Sequence, residues 1–73
     1  MNKEAAKLKL LGKNIAKYRK IRGFSQNVLS EKVDVSREHL SKIEVGIACP
    51  SVHLMFKIAE ILEVSEKDLF DFK

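Results

Sequence analysis

Ser25 and Ser36 each open a run of apolar residues at helical spacing, and only Asp34 and Val35 separate the end of the first run from the second serine. A serine at such a point caps a helix, because its hydroxyl accepts a backbone N–H of the first turn. The first helix runs through Leu29 to about Val33, and the second from Arg37 to about Val45. Two short helices joined through so few residues must cross at a steep angle. The turn needs a residue that tolerates positive φ, for which Asp34 is acceptable though less comfortable than glycine. Val35 is expected to point back into the core as the hinge plug.

The rest of the chain repeats this helical grammar, and strand-like alternation is missing. Leu8, Leu11, Ile15 and Tyr18 mark one face of an opening helix that ends near Gly23. Its opposite face carries Lys9, Lys13, Lys17 and Lys20, and residues 1–7 are expected to be a flexible basic extension. Gly46 is a natural residue to end the central pair, since glycine enters the left-handed conformation without steric cost. Pro50 and Ser51 restart the chain into a fourth helix with Leu54, Ile58, Ile61 and Leu62 as its buried stripe. Ser65 with Asp68 makes a capping box for a short fifth helix that holds Leu69 and Phe70. The expectation is an all-α, compact five-helix domain spanning 1–73.

So short a chain buries a modest share of its surface, and its stability is marginal unless something supplements the core. One cysteine excludes an internal disulfide, and no Cys/His spacing resembles a zinc site. Association with a second copy is therefore the expected supplement. No apolar run is long enough to span a bilayer, and the N-terminus lacks the apolar core of a signal peptide. A cytoplasmic protein with no membrane partner is expected. Charge is segregated: residues 1–22 carry eight Lys/Arg against one Glu, whereas residues 23–73 carry six against nine Asp/Glu. Such asymmetry suits a polyanion at the basic end, and equally a merely solvated basic helix.

The stretch SQNVLSEKVDVSREHLSKIEVG, followed by PSVHLMFKIAEILEVSEKDLF, resembles the lambda-repressor-like helix-turn-helix of the Cro/repressor (XRE) family over about residues 11–70. Ser25-Gln26, Leu29, Val35-Ser36, Leu40, Ile43-Glu44, Gly46, Pro50-Ser51, Ile58-Ala59 and Leu69-Phe70 carry the resemblance together. Ser30 stands where the family favours alanine; it fits if its hydroxyl bonds a backbone carbonyl one turn back. Asp34 replaces the usual turn glycine. The apolar Val45–Cys49 loop replaces a segment where Lys, Arg or Asn is frequent.

If Leu40 and Ile43 face the core, helical geometry places Glu38, Ser41, Lys42 and Val45 outward, with Arg37 and His39 on the flanks. The resemblance assigns Arg37, Glu38, His39 and Lys42 to base-facing positions of a helix lying in the DNA major groove. Their chemistry fits: Arg37 and Lys42 match guanine O6 and N7, and Glu38 accepts from a cytosine amino group. The competing reading makes Glu38 and Lys42 a solvated pair four residues apart. The resemblance further implies that Gln26 contacts a phosphate and braces the reading helix. It also implies an internal ion pair between Arg19 and Glu44. Ser36, Ser41, Lys13, Lys17 and Lys20 complete the set expected along the DNA backbone.

No catalytic function is expected, because no nucleophile has a base and an orienting group in prospect. No metal and no cofactor are expected either: His39 and His53 have no partner ligands, and Cys49 reads as a partly buried thiol. The resemblance implies a small transcriptional regulator, a repressor or controller-type protein, of bacterial or phage kind. It would act on double-stranded DNA as a homodimer, since one reading helix covers only a few base pairs and two copies read a near-palindromic operator. The alternative is a protein-interaction module, or an antitoxin-like component, that uses the same fold with a protein partner. For a dimer surface the tail offers Leu69, Phe70 and Phe72, although Phe72 can instead fold back as a lid on the core.

Overall fold

The computed structural model describes residues 3–72, and these form α1 (Lys3–Ile21), α2 (Gln26–Lys32), α3 (Arg37–Glu44), α4 (Val52–Leu62) and α5 (Glu66–Leu69). The three expected serine caps, at Ser25, Ser36 and Ser65, are all made, and Ser51 caps α4 as well. The hydroxyls of Ser25, Ser36, Ser51 and Ser65 accept from the backbone N–H of Val28, His39, Leu54 and Asp68, and Asp68 returns the bond to Ser65. Each cap satisfies one of the orphan donors of a helix start and so fixes where the helix begins.

Helix ends are equally uniform. Gly23, Asp34, Gly46 and Glu63 take φ of 76°, 61°, 85° and 59° just beyond α1, α2, α3 and α4. In every case two backbone N–H groups bond back to the last turn; after α3, Gly46 donates to Ile43 at 3.1 Å and Ile47 to Lys42 at 2.9 Å. This is the Schellman arrangement, which satisfies carbonyls that the helix leaves open. The strained positions are Asp34 and Glu63, whose Cβ atoms cost energy that glycine avoids. Glu63 was not foreseen as a left-handed residue.

The core takes Leu11 and Ile15 from α1, Leu29 and Val33 from α2, and Leu40 and Ile43 from α3. Leu54, Met55, Ile58, Ala59 and Leu62 of α4 and Leu69 of α5 complete it. Ile61, expected in the α4 stripe, is only half-buried, while Met55 and Ala59 hold that face instead. Val35 packs against the core edge at the hinge. The Ser30 hydroxyl donates to the Asn27 carbonyl at 2.8 Å, which makes a buried serine acceptable between the crossing helices.

Three expectations need correction. The extension expected over residues 1–7 is helical from Lys3 onward, as the first turns of α1; Met1 and Asn2 lie outside the described residues. Leu69 is completely buried and so unavailable to a second copy, because the α5 turn aims it inward and leaves Phe70 half-exposed outside. Cys49 is exposed rather than partly buried, since Ala48 and Pro50 take the inward positions on either side of it. The tail is tied down by Asn14, whose side-chain amide donates to the carbonyls of Leu69 and Asp71 at 2.9 and 3.2 Å. Phe72 accordingly folds back against the core.

Candidate nucleic-acid interface

The outer face of α3 follows from its inner one. Leu40, Ile43 and Glu44 are buried, so the remaining arc carries exposed Arg37, Glu38, Lys42 and Val45 with Ser41 half-buried among them. Ser36 places Arg37 and Glu38 in the first turn, where free backbone N–H groups and the helix dipole favour negative charge. His39 stands apart from this arc. It is half-buried and lines a small cleft with Asp34, Val35, His53 and Lys57, between the hinge and the start of α4.

A buried ion pair holds α3 in place. Arg19 reaches from α1 to Glu44, with Nε donating to Oε2 at 2.7 Å and Nη2 to Oε1 at 3.0 Å. The same guanidinium donates through Nη1 to the Phe24 carbonyl at 2.9 Å, joining the α1–α2 connection to the pair. Gln26 adds a bond from its Nε2 to Glu44 Oε1 at 2.9 Å. A planar guanidinium gripping a carboxylate with two parallel bonds fixes orientation as well as distance. Gln26, at the first position of α2, thus braces α3 through Glu44 while its backbone N–H stays at an open helix start.

Two glycines set how closely α1 and α3 approach; sequence reasoning missed Gly12 altogether and found Gly46 only as a helix end. A Cβ at Gly12 would lie 2.3 Å from the Glu44 carbonyl oxygen and 2.4 Å from that of Ile43. A Cβ at Gly46 would lie 2.7 Å from the Lys9 Cγ and 2.8 Å from its Cα. The α1 backbone therefore lies directly on the last turn of α3 and the residue after it. A glycine inside a helix that costs about 1 kcal/mol of propensity was the available signal for Gly12.

Lys13, Lys17 and Lys20 are exposed on α1, and Lys17 leans over the Tyr18 ring at 5.1 Å. The loop after α3 is apolar and open: Val45 is 55% and Ile47 74% exposed. Ile47 therefore closes the helix through its backbone N–H, while its side chain stands in the open. Among the described residues no group of three or more His, Cys, Asp or Glu is placed to hold a metal ion, and no helix is long and apolar enough to cross a membrane.

A family model described as HTH_3, helix-turn-helix, matches residues 15–69. The HTH-type transcriptional regulator SlrR of Bacillus subtilis (strain 168) is 43% identical over 63 residues, which are 85% of this chain and 41% of that protein. The chain spans about half the length of the curated relatives it matches. Among solved structures, the restriction-modification controller protein C.AhdI from Aeromonas hydrophila is similar with a TM-score of 0.85 at 26% identity. That match covers 89% of this chain and 98% of that one. The crystal structure of the master regulator for biofilm formation SinR in complex with DNA is similar with a TM-score of 0.78 at 37% identity, over 84% of this chain and 98% of that one.

Proposed function

The chain belongs to the HTH_3 helix-turn-helix family, and we propose that it is a cytoplasmic transcriptional regulator that binds double-stranded DNA sequence-specifically as a homodimer on a near-palindromic operator. The observation that carries this reading is the α3 face: Arg37, Glu38 and Lys42 are exposed together on a helix held rigidly by Arg19, Glu44 and Gly12. A reading helix must be positioned by the fold before it meets the groove, because base contacts have little tolerance for a moving frame.

In this account Arg37 and Lys42 donate to guanine O6 and N7, and Glu38 accepts from a cytosine amino group. His39 reaches the base edges only from the flank. Ser36, Ser41, the first-turn N–H of Gln26 and the three α1 lysines Lys13, Lys17 and Lys20 face the sugar-phosphate backbone. A second copy supplies the other half-site about 34 Å away, one helical turn along the duplex. The relationship to SinR, a protein solved in complex with DNA, supports the DNA reading.

Selection of duplexes from a random pool, followed by titration at two salt concentrations, tests the function. The reading expects one enriched sequence with internal two-fold symmetry and an affinity that falls steeply with salt. Failure to enrich any sequence over random DNA contradicts it. The exposed apolar Val45–Ile47 loop favours a second reading, in which this face docks a protein partner. That partner would stay bound at high salt in the presence of excess random DNA.

A further inference from the structure

Packing sets Lys9 apart from the other lysines of α1. A Cβ on Gly46 would stand 2.7 Å from the Lys9 Cγ, 2.8 Å from its Cα and 2.9 Å from its backbone nitrogen. The backbone of Lys9 therefore lies against the residue just beyond the α3 C-cap, and only a glycine there admits it. One turn further along α1, Gly12 lies on the Glu44 and Ile43 carbonyl oxygens in the same way. Two close contacts a turn apart fix the register of α1 on the end of α3. Lys9 is exposed, so its stem starts on the Gly46 backbone while its charged head stays in water. The residue precedes the 15–69 stretch that matches the family model.

Among the described residues no ion pair uses this charge. A cation beside a helix C-terminus can serve the open carbonyls there. At the end of α3, however, the carbonyls of Ser41, Lys42 and Ile43 already accept from the backbone N–H of Val45, Ile47 and Gly46 at 3.1, 2.9 and 3.1 Å. The carboxylate at this end, Glu44, is held by Arg19 and Gln26. The loop itself brings no charge, since residues 45–52 read VGIACPSV, and Val45 and Ile47 stand exposed in it. Lys9 is thus a cation that packing delivers to a loop without one of its own.

We propose that Lys9 contacts a DNA phosphate at the C-terminal end of α3, an assignment that rests on the DNA reading above. The eight residues of α3 span about 12 Å at a rise of about 1.5 Å per residue. With the first turn at the base edges, the last turn rises toward the rim of a groove about 8.5 Å deep, where the phosphates lie. The loop meets that rim with apolar side chains alone, and Lys9 supplies the missing charge from the neighbouring helix. A lysine suits the task, because a phosphate needs a point charge there and no fixed fork of donors. The close contact on Gly46 fixes where the stem starts, which lowers the entropy that the contact costs.

Anisotropy titrations of the selected duplex and of a random one, over a series of salt concentrations, test the proposal. Lys9→Gln keeps the Cγ that lies by Gly46 and removes the charge, and circular dichroism and urea unfolding establish that the variant is folded as stably as the wild type. It should bind both duplexes more weakly by the same factor, several-fold at low salt, with the slope of log K against log salt shallower by about 0.9. Lys9→Arg should keep the wild-type slope. Ile47→Lys placed in the Lys9→Gln chain should restore it, because the new ammonium projects from the same loop. Lys67→Gln, which removes an exposed lysine of α5, should leave the slope unchanged. A slope indifferent to Lys9→Gln overturns the assignment, as does an equal loss in Lys67→Gln, which would make net charge the cause. In either case a selected duplex still preferred over a random one leaves the DNA reading standing. A wild-type chain that binds no duplex sinks that reading and this contact together.

Discussion

The backbone of α1 at Gly12 lies so close to the carbonyl oxygen of Glu44 that a Cβ there would stand 2.3 Å from it. Helix propensity alone predicts that Gly12→Ala stabilises the chain by about 1 kcal/mol. The contact predicts the opposite sign, because the neighbour is backbone and cannot swing aside. Thermal or urea unfolding should show Gly12→Ala destabilised by about 1–3 kcal/mol, the usual range for overpacking. A stabilised variant would mean that α1 does not rest on the end of α3.

Arg19 and Glu44 extend the same attachment through side chains. Removing one partner of a buried pair leaves an uncompensated charge, at a cost of about 3–5 kcal/mol. Arg19→Ala is therefore expected to lose a large part of the stability that a domain this small possesses. Arg19→Lys should rescue little, since an ammonium cannot make the two parallel bonds to Glu44 and still reach the Phe24 carbonyl. Urea titration of the two variants checks both statements.

Asp34 pays for the tight hinge with a positive φ of 61°. Glycine adopts that conformation without steric penalty, though it adds entropy to the unfolded chain. Asp34→Gly should raise stability by up to about 1 kcal/mol, equivalent to a rise of about 4–8 °C in Tm for a chain of this size. The same change should leave the α3 face in place, so DNA affinity should be unaltered within the error of a titration.

Ile47 occupies an exposed loop position just after α3. On the proposed reading, Ile47→Lys adds a phosphate contact there. Affinity for duplex DNA should increase, and the slope of log K against log salt should steepen by about 0.9, the value for one more neutralised phosphate. Weaker binding instead would identify the loop as an apolar contact.

Local signals made the helices legible before any coordinates. Serine hydroxyls at Ser25, Ser36, Ser51 and Ser65 mark helix starts, and the Leu40–Ile43 spacing determines which side of α3 faces water; both depend only on near neighbours in sequence. What stayed hidden depends on distant ones. The Asn14 bond to Leu69 joins residues 55 positions apart, and nothing in the spacing of either predicts it. Leu69 and Phe70 are adjacent apolar residues, and only the docked direction of α5 decides which of them is buried. Likewise the contact of Gly46 with Lys9 needs α1 already packed on α3. The α3 arc was therefore readable from the sequence, whereas the close packing of α1 on α3 that fixes its position was not.

The claim at the centre of this account is that Arg37 and Lys42 read bases while α1 and Gln26 hold the backbone. The most direct measurement is the ratio of affinities for the selected duplex and a random one, compared between the wild-type chain and the Arg37→Ala/Lys42→Ala variant. A good base contact discriminates by about 1–3 kcal/mol, so the ratio should fall at least tenfold while the variant remains as stably folded as the wild type. A variant that binds both duplexes more weakly by the same factor, with the ratio intact, would contradict the account.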